Sequence, residues 1–272
     1  MGTTNIARQT VTRTKRNVVM ENLSQFPVVG SRRIVLAFSF NSWLRAPQQL
    51  KMIESMPKAL TVEELQKEAA SFAKTESDHE EPTLFGVTDG KAVGTYLEHK
   101  FQQHLQNIYE YVRGSSAKGI DFPELGVDIK VTSARQPQSS CPFKSASQKI
   151  YGLGYALLVF VYDKHDDDAR RTGRLDIRHA IFVEKHRTGD FQTTSGLRQL
   201  LENNANREDI LAFFQERMLP VDEIEANALA DEVLKHPPEL GYLTVSNALQ
   251  WRLQYSRVIE QAGAVGGILR LV

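Results

Sequence analysis

The chain has little of the features that mark several common protein classes. Cys141 is the only cysteine among 272 residues, so neither an intrachain disulfide nor a cysteine-rich zinc site can form. The longest apolar run, from Tyr155 to Tyr162, is too short to span a bilayer. The first thirty residues have no apolar core of the length that a secretory signal needs. We therefore expect a cytoplasmic protein without membrane contact.

The sequence also lacks net charge, since 33 Lys and Arg balance 33 Asp and Glu. This balance gives no bulk electrostatic case for nucleic-acid binding, but the charges are unevenly distributed. Residues 1–33 carry six basic side chains and the single acid Glu21, whereas residues 202–240 carry ten acids and three bases. A basic arm and an acidic region could together concentrate positive potential on one side. A loose tail and a solvated helix face are the alternative.

Nucleotide-binding motifs are missing as well. Residues 86–92 lack the spacing and the final Ser or Thr of a phosphate-binding loop, and Gly152-Leu153-Gly154 lacks the third glycine and the preceding strand of a dinucleotide fingerprint. We therefore expect no nucleotide cofactor. With 41% hydrophobic and 24% charged residues, the composition is that of an ordinary globular protein.

What the sequence does contain is a stretch, residues 119–133, in which charged side chains alternate with apolar ones at strand spacing. Successive side chains of a strand point to opposite faces. Asp128 and Lys130 therefore share one face, opposite the apolar row that begins at Val127. If the stretch is a hairpin with its apolar rows on the core, Asp121 lies on the face of Asp128 and Lys130, because a one-residue slip would mix the faces. Two carboxylates and an amine then converge.

Two registers of this hairpin satisfy the pattern. Opposing Asp121 to Asp128 leaves Glu124-Leu125 as the turn, whereas opposing Asp121 to Lys130 leaves a four-residue loop. Paired carboxylates are the hard oxygen ligands that suit Mg²⁺. An adjacent ammonium stabilises the negative charge that develops on a phosphoryl group. The chemistry indicated is metal-assisted phosphodiester hydrolysis, and the solvated face of an exposed hairpin is the structural alternative.

At these residues the chain resembles the PD-(D/E)xK nuclease superfamily and, within it, the type II restriction endonucleases. Asp121 matches the Asp that ends one strand of the family's hairpin, and Asp128-Ile129-Lys130 matches the (Asp/Glu)-x-Lys triplet on the next strand. Ile120 stands where the family often has proline. The resemblance implies that Asp121 and Asp128 bind Mg²⁺. It also implies that Lys130 orients or activates the attacking water and stabilises the pentavalent phosphate.

The resemblance extends to two helices that flank the hairpin. An apolar stripe from Val93 to Val112 predicts a long helix. Glu98 on this helix matches a glutamate that the family often carries before its hairpin, where it would assist catalysis; an ordinary boundary residue is the alternative. Gln148, on a short helix predicted at residues 145–152, matches a glutamine that recurs after the hairpin in parts of the superfamily and is a candidate DNA contact.

DNA contacts are also expected in the loop that follows the hairpin, residues 133–142. This loop contains Arg135, Gln136 and Gln138. Arg and Gln side chains suit bidentate contacts with guanine and adenine edges. An ordinary surface loop is the alternative.

A helical subdomain is predicted in residues 191–272. Helices predicted at residues 207–218 and 221–235 precede a third, over residues 244–257, that carries Asn247 and Gln250 near its start. The last two of these helices loosely resemble a helix-turn-helix, in which the later helix reads the major groove. A subdomain used for packing or dimerisation is the alternative.

Together these patterns predict an α/β (α+β) fold with a restriction-endonuclease-like central mixed sheet flanked by helices. Residues 1–190 would form the nuclease core with its basic arm, and residues 191–272 the helical subdomain. By the resemblance, the protein is a Mg²⁺-dependent, type II site-specific deoxyribonuclease. It would cut double-stranded DNA as a homodimer matched to a symmetric site and leave 5′-phosphate and 3′-hydroxyl ends. Two alternatives remain open: a repair, recombination or mobile-element nuclease that recognises DNA structure, and a non-catalytic DNA-binding regulator.

Overall fold

The computed structural model describes residues 58–114, 119–140, 144–246 and 251–272. The predicted basic arm, the lone Cys141, Asn247 and Gln250 lie outside these residues. The described residues all belong to one structural unit.

Seven α-helices and ten strands form the described part of the chain, with short 3₁₀ helices at Pro82–Leu84 and Lys185–Arg187. The helices are α1 Val62–Ser77, α2 Gly90–Gln106, α3 Ser147–Tyr151, α4 Phe191–Glu202, α5 Arg207–Glu216, α6 Glu223–Lys235 and α7 Ser256–Gln261. The strands are β1 Lys58–Ala59, β2 Glu80–Glu81, β3 Tyr109–Glu110, β4 Val127–Ser133, β5 Gln138–Ser140, β6 Ala156–Asp167, β7 Thr172–Val183, β8 Thr244–Ser246, β9 Arg252–Gln254 and β10 Ile268–Arg270.

A five-stranded mixed sheet forms the centre of the fold, in the order β10-β7-β6-β4, with β2 also paired to β7. β4 runs parallel to β6, while β6 and β7 are antiparallel. The side chains from Ala156 to Tyr162 on β6 are buried on both faces, which explains the continuous apolar run in the sequence. The predicted mixed sheet flanked by helices is confirmed.

Each face of this sheet is covered by a different layer. On one face, α1 and α2 contribute Phe72 and Phe101, whose rings pack 6.0 and 5.3 Å from the ring of Phe160 on β6. On the other face, Val245 and Leu253 pack against the opposite row of β6 and β7 side chains. These two residues belong to a separate three-stranded sheet in the order β5-β9-β8.

Local sequence patterns predict several helices correctly. Thr61 and Glu64 have the spacing of a capping box, and the box is present. The Thr61 side chain accepts from the Glu64 N–H while the Glu64 carboxylate accepts from the Thr61 N–H. The helices predicted near residues 207–218 and 221–235 are α5 and α6. Together with α3 and α4 they enclose their own apolar core, which includes Ile150, Leu197 and Phe214.

Three predicted elements differ from the structure. The long helix ends at Gln106, because Tyr109 and Glu110 instead form β3 beside β1. The polar sequence of residues 163–173 predicts a loop between two strands. These residues are mostly strand, since β6 and β7 continue as an antiparallel pair to Asp167 and Thr172. Antiparallel strands tolerate such polar sequences because one face can meet water.

The helix predicted over residues 244–257 is wrong for the described residues. Thr244–Ser246 and Arg252–Gln254 are antiparallel strands, with Val245 paired to Leu253 and both buried. A period of 2 appears only when the flanking buried residues are included, as Leu243 precedes Val245 by two positions and Tyr255 follows Leu253 by two. The described residues therefore form no helix-turn-helix.

No helix in the described segments is long and apolar enough to cross a membrane.

Candidate active site

The predicted hairpin is present as a tight turn that leads into β4. Phe122 N–H donates to Val127 O at 2.9 Å, and Val127 N–H donates to Phe122 O at 3.2 Å. Gly126 closes the turn with a φ of 63°, a conformation that glycine adopts without strain. Of the two registers left open by the sequence, this is the one that places Asp121 opposite Asp128.

Asp121 is held at both of its carboxylate oxygens. Oδ2 accepts from the backbone N–H of Ile129 at 2.8 Å, and Oδ1 accepts from the side-chain amide of Gln102 at 3.1 Å. The Arg113 guanidinium donates to the other end of the Gln102 amide at 2.9 Å. These bonds lock the orientation of the Asp121 carboxylate against α2 and β4.

Asp128 and Lys130 lie two residues apart on the same face of β4 and form an ion pair. Lys130 Nζ lies 2.6 Å from Asp128 Oδ2, and the Asp128 side chain is only 4% exposed. Within the described structure, Asp128 Oδ2 accepts no well-directed hydrogen bond. The contact with Lys130 is therefore an electrostatic attraction between the two charges. Burial raises the pKa of Asp128 to about 6; Lys130 opposes this shift and the contact with Asp121 adds to it.

Glu98 reaches the same site from α2. Burial raises the pKa of this carboxyl to about 7, and the charges of Asp121 and Asp128 push in the same direction while Lys130 opposes them. Glu98 therefore lies within the electrostatic reach of the other three side chains. All four residues predicted as catalytic come together.

A cleft of about 1010 Å³ opens beside Glu98. The start of α2, the end of β4 and the segment from residue 133 to β5 form its walls. Its lining includes the three candidate DNA contacts of the hairpin loop, Arg135, Gln136 and Gln138, and the basic side chains Lys91, Lys164 and Arg252. The predicted DNA-contacting loop thus shares a cleft with Glu98, whereas Asp121, Asp128 and Lys130 are not among the residues that line it.

Gln148 is placed differently. Its side-chain oxygen accepts from the Lys144 N–H at 2.8 Å, and its amide nitrogen donates to Leu153 O at 3.2 Å. Both polar ends of the side chain therefore bind backbone groups at the ends of α3. Gln148 is also not among the residues that line the cleft.

Sequence reasoning missed Gln102, which positions Asp121. A usable pattern was present, because Gln102 lies four residues after Glu98 and so occupies the same face of α2. The pattern alone does not reveal its partner, since Gln102 and Asp121 are 19 residues apart in the sequence.

The site contains two candidate metal ligands. Within the described residues, no group of three or more His, Cys, Asp or Glu side chains is arranged to hold a metal ion. The opposed pair of Asp121 and Asp128 remains, with the buried Asp128 Oδ2 lacking a well-directed hydrogen bond. A buried carboxylate oxygen of this kind fits a small hard cation.

Comparison with known proteins assigns the family. The family model for the type II restriction enzyme NspV matches residues 59–270. The chain belongs to this family. The curated type II restriction enzyme NspV of Nostoc sp. (strain ATCC 29411 / PCC 7524) is 63% identical over 210 residues, which cover 77% of this chain and 96% of the relative. No solved structure matches the chain.

Membership in the NspV family makes this protein a sequence-specific DNA endonuclease, a type II site-specific deoxyribonuclease. The expected restriction-enzyme function is therefore confirmed. The alternative of a non-catalytic regulator is set aside, in agreement with the absence of the helix-turn-helix from the described residues. Type II restriction enzymes generally use a divalent metal ion.

Proposed function

We propose that this endonuclease cuts double-stranded DNA with Mg²⁺ held by Asp121 and Asp128, with Lys130 acting on the attacking water and Glu98 assisting. The observation that carries the proposal is the buried Asp128–Lys130 ion pair of 2.6 Å on the strand opposite Asp121. This geometry supports the proposal, because a PD-(D/E)xK motif needs its Asp-x-Lys triplet close to the preceding Asp. A merely solvated hairpin would leave these side chains exposed.

Mg²⁺ is the metal that suits this donor set. It keeps several waters and usually meets the protein through one or two carboxylates, whereas Ca²⁺ takes six to eight oxygen ligands. Bound between the carboxylates, the ion would polarise a phosphoryl oxygen and lower the pKa of a bound water.

The side chains of this chain supply the remaining steps. The Lys130 ammonium orients the attacking water and stabilises the extra negative charge of the pentavalent phosphate. Asp128 holds that ammonium in place. Glu98, whose pKa is raised to about 7, can accept a proton near neutral pH. The water oxygen gives a proton to Glu98 and forms the new bond to phosphorus. The bond to the 3′ oxygen breaks and that oxygen takes a proton from solvent water, which leaves 5′-phosphate and 3′-hydroxyl ends.

The cleft is the proposed path for the DNA. Arg135, Gln136 and Gln138 line it between Glu98 and the three-stranded sheet, so a duplex whose phosphate reaches the acidic pair would pass these side chains. Arginine and glutamine can contact phosphates or base edges.

We also propose that the protein acts in the cytoplasm as a homodimer, in which two sites face the two strands of a symmetric sequence. The domain boundary near residue 190 is part of this proposal. The apolar core of α4, α5 and α6, which α3 from before this boundary also joins, supports a helical subdomain. The exposed Met218 and Ile224 beside it support a surface for the second copy. Light scattering should give twice the chain mass of 30.7 kDa; a monomer bound to cognate DNA would contradict the dimer.

Cleavage by a lysine variant tests the catalytic assignment. Lys130→Ala should abolish discrete Mg²⁺-dependent fragments from long mixed-sequence DNA but keep DNA binding in EDTA. Lys185→Ala, which removes an exposed lysine after β7, is the matched control and should cleave normally. Undiminished cleavage by Lys130→Ala would overturn the assignment. Preferred cleavage of branched DNA at no fixed sequence would instead favour a structure-specific nuclease.

A further inference from the structure

The three-stranded sheet β5-β9-β8 has two chemically different faces. In its register, Ser139, Leu253 and Val245 share one row, and Leu253 and Val245 are buried against the central sheet. Ser139 Oγ lies 2.5 Å from the Tyr255 hydroxyl on the same inner side. Because side chains alternate along strands, the remaining positions form the outer face.

Every side chain on that outer face is polar and none is acidic. The six residues are Gln138, Ser140, Thr244, Ser246, Arg252 and Gln254. Amides and hydroxyls both donate and accept hydrogen bonds, and the guanidinium donates through a rigid fork. We name these six residues the outer row.

One end of the outer row lies at the cleft beside Glu98. Gln138, Ser140 and Arg252 line the same cleft as Glu98. Buried Thr132, two residues beyond Lys130 on the same face of β4, accepts the Gln138 N–H at 2.8 Å. Two residues along a strand span about 7 Å, so β5 begins close to the catalytic strand and is fixed to it.

The sheet has dimensions suited to a DNA groove. Neighbouring strands lie about 4.8 Å apart, so β5 and β9 form a two-stranded ribbon of the kind that the major groove, about 12 Å wide, admits. Arg252 and Gln254 project from the central strand β9 about 7 Å apart, the rise of about two base-pair steps. Arginine pairs with guanine and glutamine with adenine in the major groove.

We propose that the outer row enters the major groove beside the cut phosphate and that Arg252 and Gln254 determine sequence specificity, each at a different base pair. Recognition then lies on strands β5 and β9 rather than on a helix. The proposal rests on the DNA endonuclease function and concerns which bases are selected, whereas the catalytic assignment concerns how the bond is cut.

The test measures cleavage of the cognate duplex and of every single-base-pair variant of it, with the cognate site read from the fragment ends of the wild type. Arg252→Lys keeps the charge but loses the bidentate fork. Gln254→Ala removes an exposed amide. Arg174→Lys and Gln199→Ala, at exposed positions outside the cleft lining, are the matched controls.

Each of the two test variants should cut the cognate site roughly 10- to 100-fold more slowly and lose discrimination at one base pair, a different one for each variant. Nonspecific DNA binding in EDTA and thermal stability should stay near the wild type, and the controls should keep the full profile. The proposal would be overturned if the cleavage rates over these duplexes are unchanged. It would also be overturned if the rate falls equally on all sequences, as loss of a phosphate contact would give.

This outcome is independent of the catalytic test. Specific binding can be measured in EDTA with the Lys130→Ala protein, with and without Arg252→Lys. A loss of preference for the cognate duplex on adding Arg252→Lys supports the outer row even if Lys130 proves dispensable. Retained preference contradicts it even if Lys130 proves essential.

Discussion

The side-chain amide of Gln102 donates to Asp121 Oδ1 across 3.1 Å, so a residue of α2 orients a proposed metal ligand on the hairpin. Arg113 binds the other end of the same amide. Partners of metal ligands that fix ligand orientation typically change metal affinity or activity by about 10- to 100-fold when they are mutated. Gln102 is therefore a positioning residue whose effect should be visible in the metal dependence of the reaction.

Gln102→Ala should lower the cleavage rate about tenfold or more at limiting Mg²⁺ and recover part of it at high Mg²⁺. The physical reason is that Asp121 loses the donor on Oδ1 and keeps the Ile129 N–H on Oδ2. Cleavage rates over a Mg²⁺ titration measure the effect. Gln103→Ala, on an exposed neighbouring position of the same helix, should follow the wild-type curve. A loss that is equal at every Mg²⁺ concentration would speak against positioning of a metal ligand.

Asp128→Asn should stabilise the metal-free protein at neutral pH while removing cleavage. Burial raises the pKa of Asp128 in the fold to about 6, so folding opposes ionisation of this carboxyl. Ionised Asp128 therefore destabilises the fold. This effect is absent below the pKa that Asp128 has in the unfolded chain, grows as pH rises toward about 6 and is complete above that pH. Asparagine never ionises and escapes this effect.

Thermal unfolding in EDTA checks this linkage. The variant should unfold roughly 2–6 °C above the wild type at about pH 8, and the difference should vanish near pH 4. Asp176→Asn, which removes an exposed partner of Arg178, is the control and should show no such gain. A lower unfolding temperature for Asp128→Asn at high pH would contradict the raised pKa.

Metal affinity should fall in acid. A metal ion binds the ionised carboxylate, so a proton on Asp128 competes with it. With the pKa of Asp128 near 6, Mg²⁺ affinity should be nearly constant above about pH 7 and weaken by about tenfold for each further unit below about pH 6. Calorimetric titration of the wild type with Mg²⁺ at several pH values measures it. Affinity that is unchanged down to about pH 5 would exclude Asp128 as a ligand.

Glu98→Gln should change the pH profile of cleavage as well as its rate. The pKa of Glu98 is raised to about 7, so its carboxylate forms as pH rises through neutrality and the wild-type rate should rise with it. Without that negative charge nearby, Asp128 ionises more readily. The variant should therefore be about tenfold or more slower at its plateau and reach that plateau at lower pH.

Single-turnover rates across the pH range test this expectation. Glu124→Gln, on the exposed tip of the same hairpin, is the matched control and should leave the profile unchanged. If Glu98→Gln cleaves with the wild-type rate and profile, Glu98 is an ordinary boundary residue.

Features encoded by neighbouring residues were predictable. The α1 capping box depends on Thr61 and Glu64, three positions apart. The facing of Asp121 and Asp128 follows from strand alternation over eight residues and a glycine-closed turn. In both cases the chemical reason lies within one turn of helix or one hairpin.

Features that depend on packing were not predictable. The polar continuation of β6 and β7 has the sequence of a loop. It is a strand because hydrogen bonds between the paired backbones stabilise it, and residues with any side chain can form them. β8 and β9 were interpreted as a helix because each strand is only three residues long, too short for its period of 2 to stand out. Gln148 matches a motif position, yet its amide is occupied by backbone groups of Lys144 and Leu153.

The sequence by itself determined the acidic hairpin, the Asp-x-Lys triplet and the alternation of strands and helices, since these follow from local conformational preference and side-chain period. Only the tertiary structure decided that Gln102 hydrogen-bonds to Asp121 and that Glu98 lies within electrostatic reach of Asp121. It also decided that residues of the outer row line the cleft. The reason is that these contacts join distant segments. Their geometry is set by how α2 and the three-stranded sheet pack on the central sheet, and no local pattern records that packing.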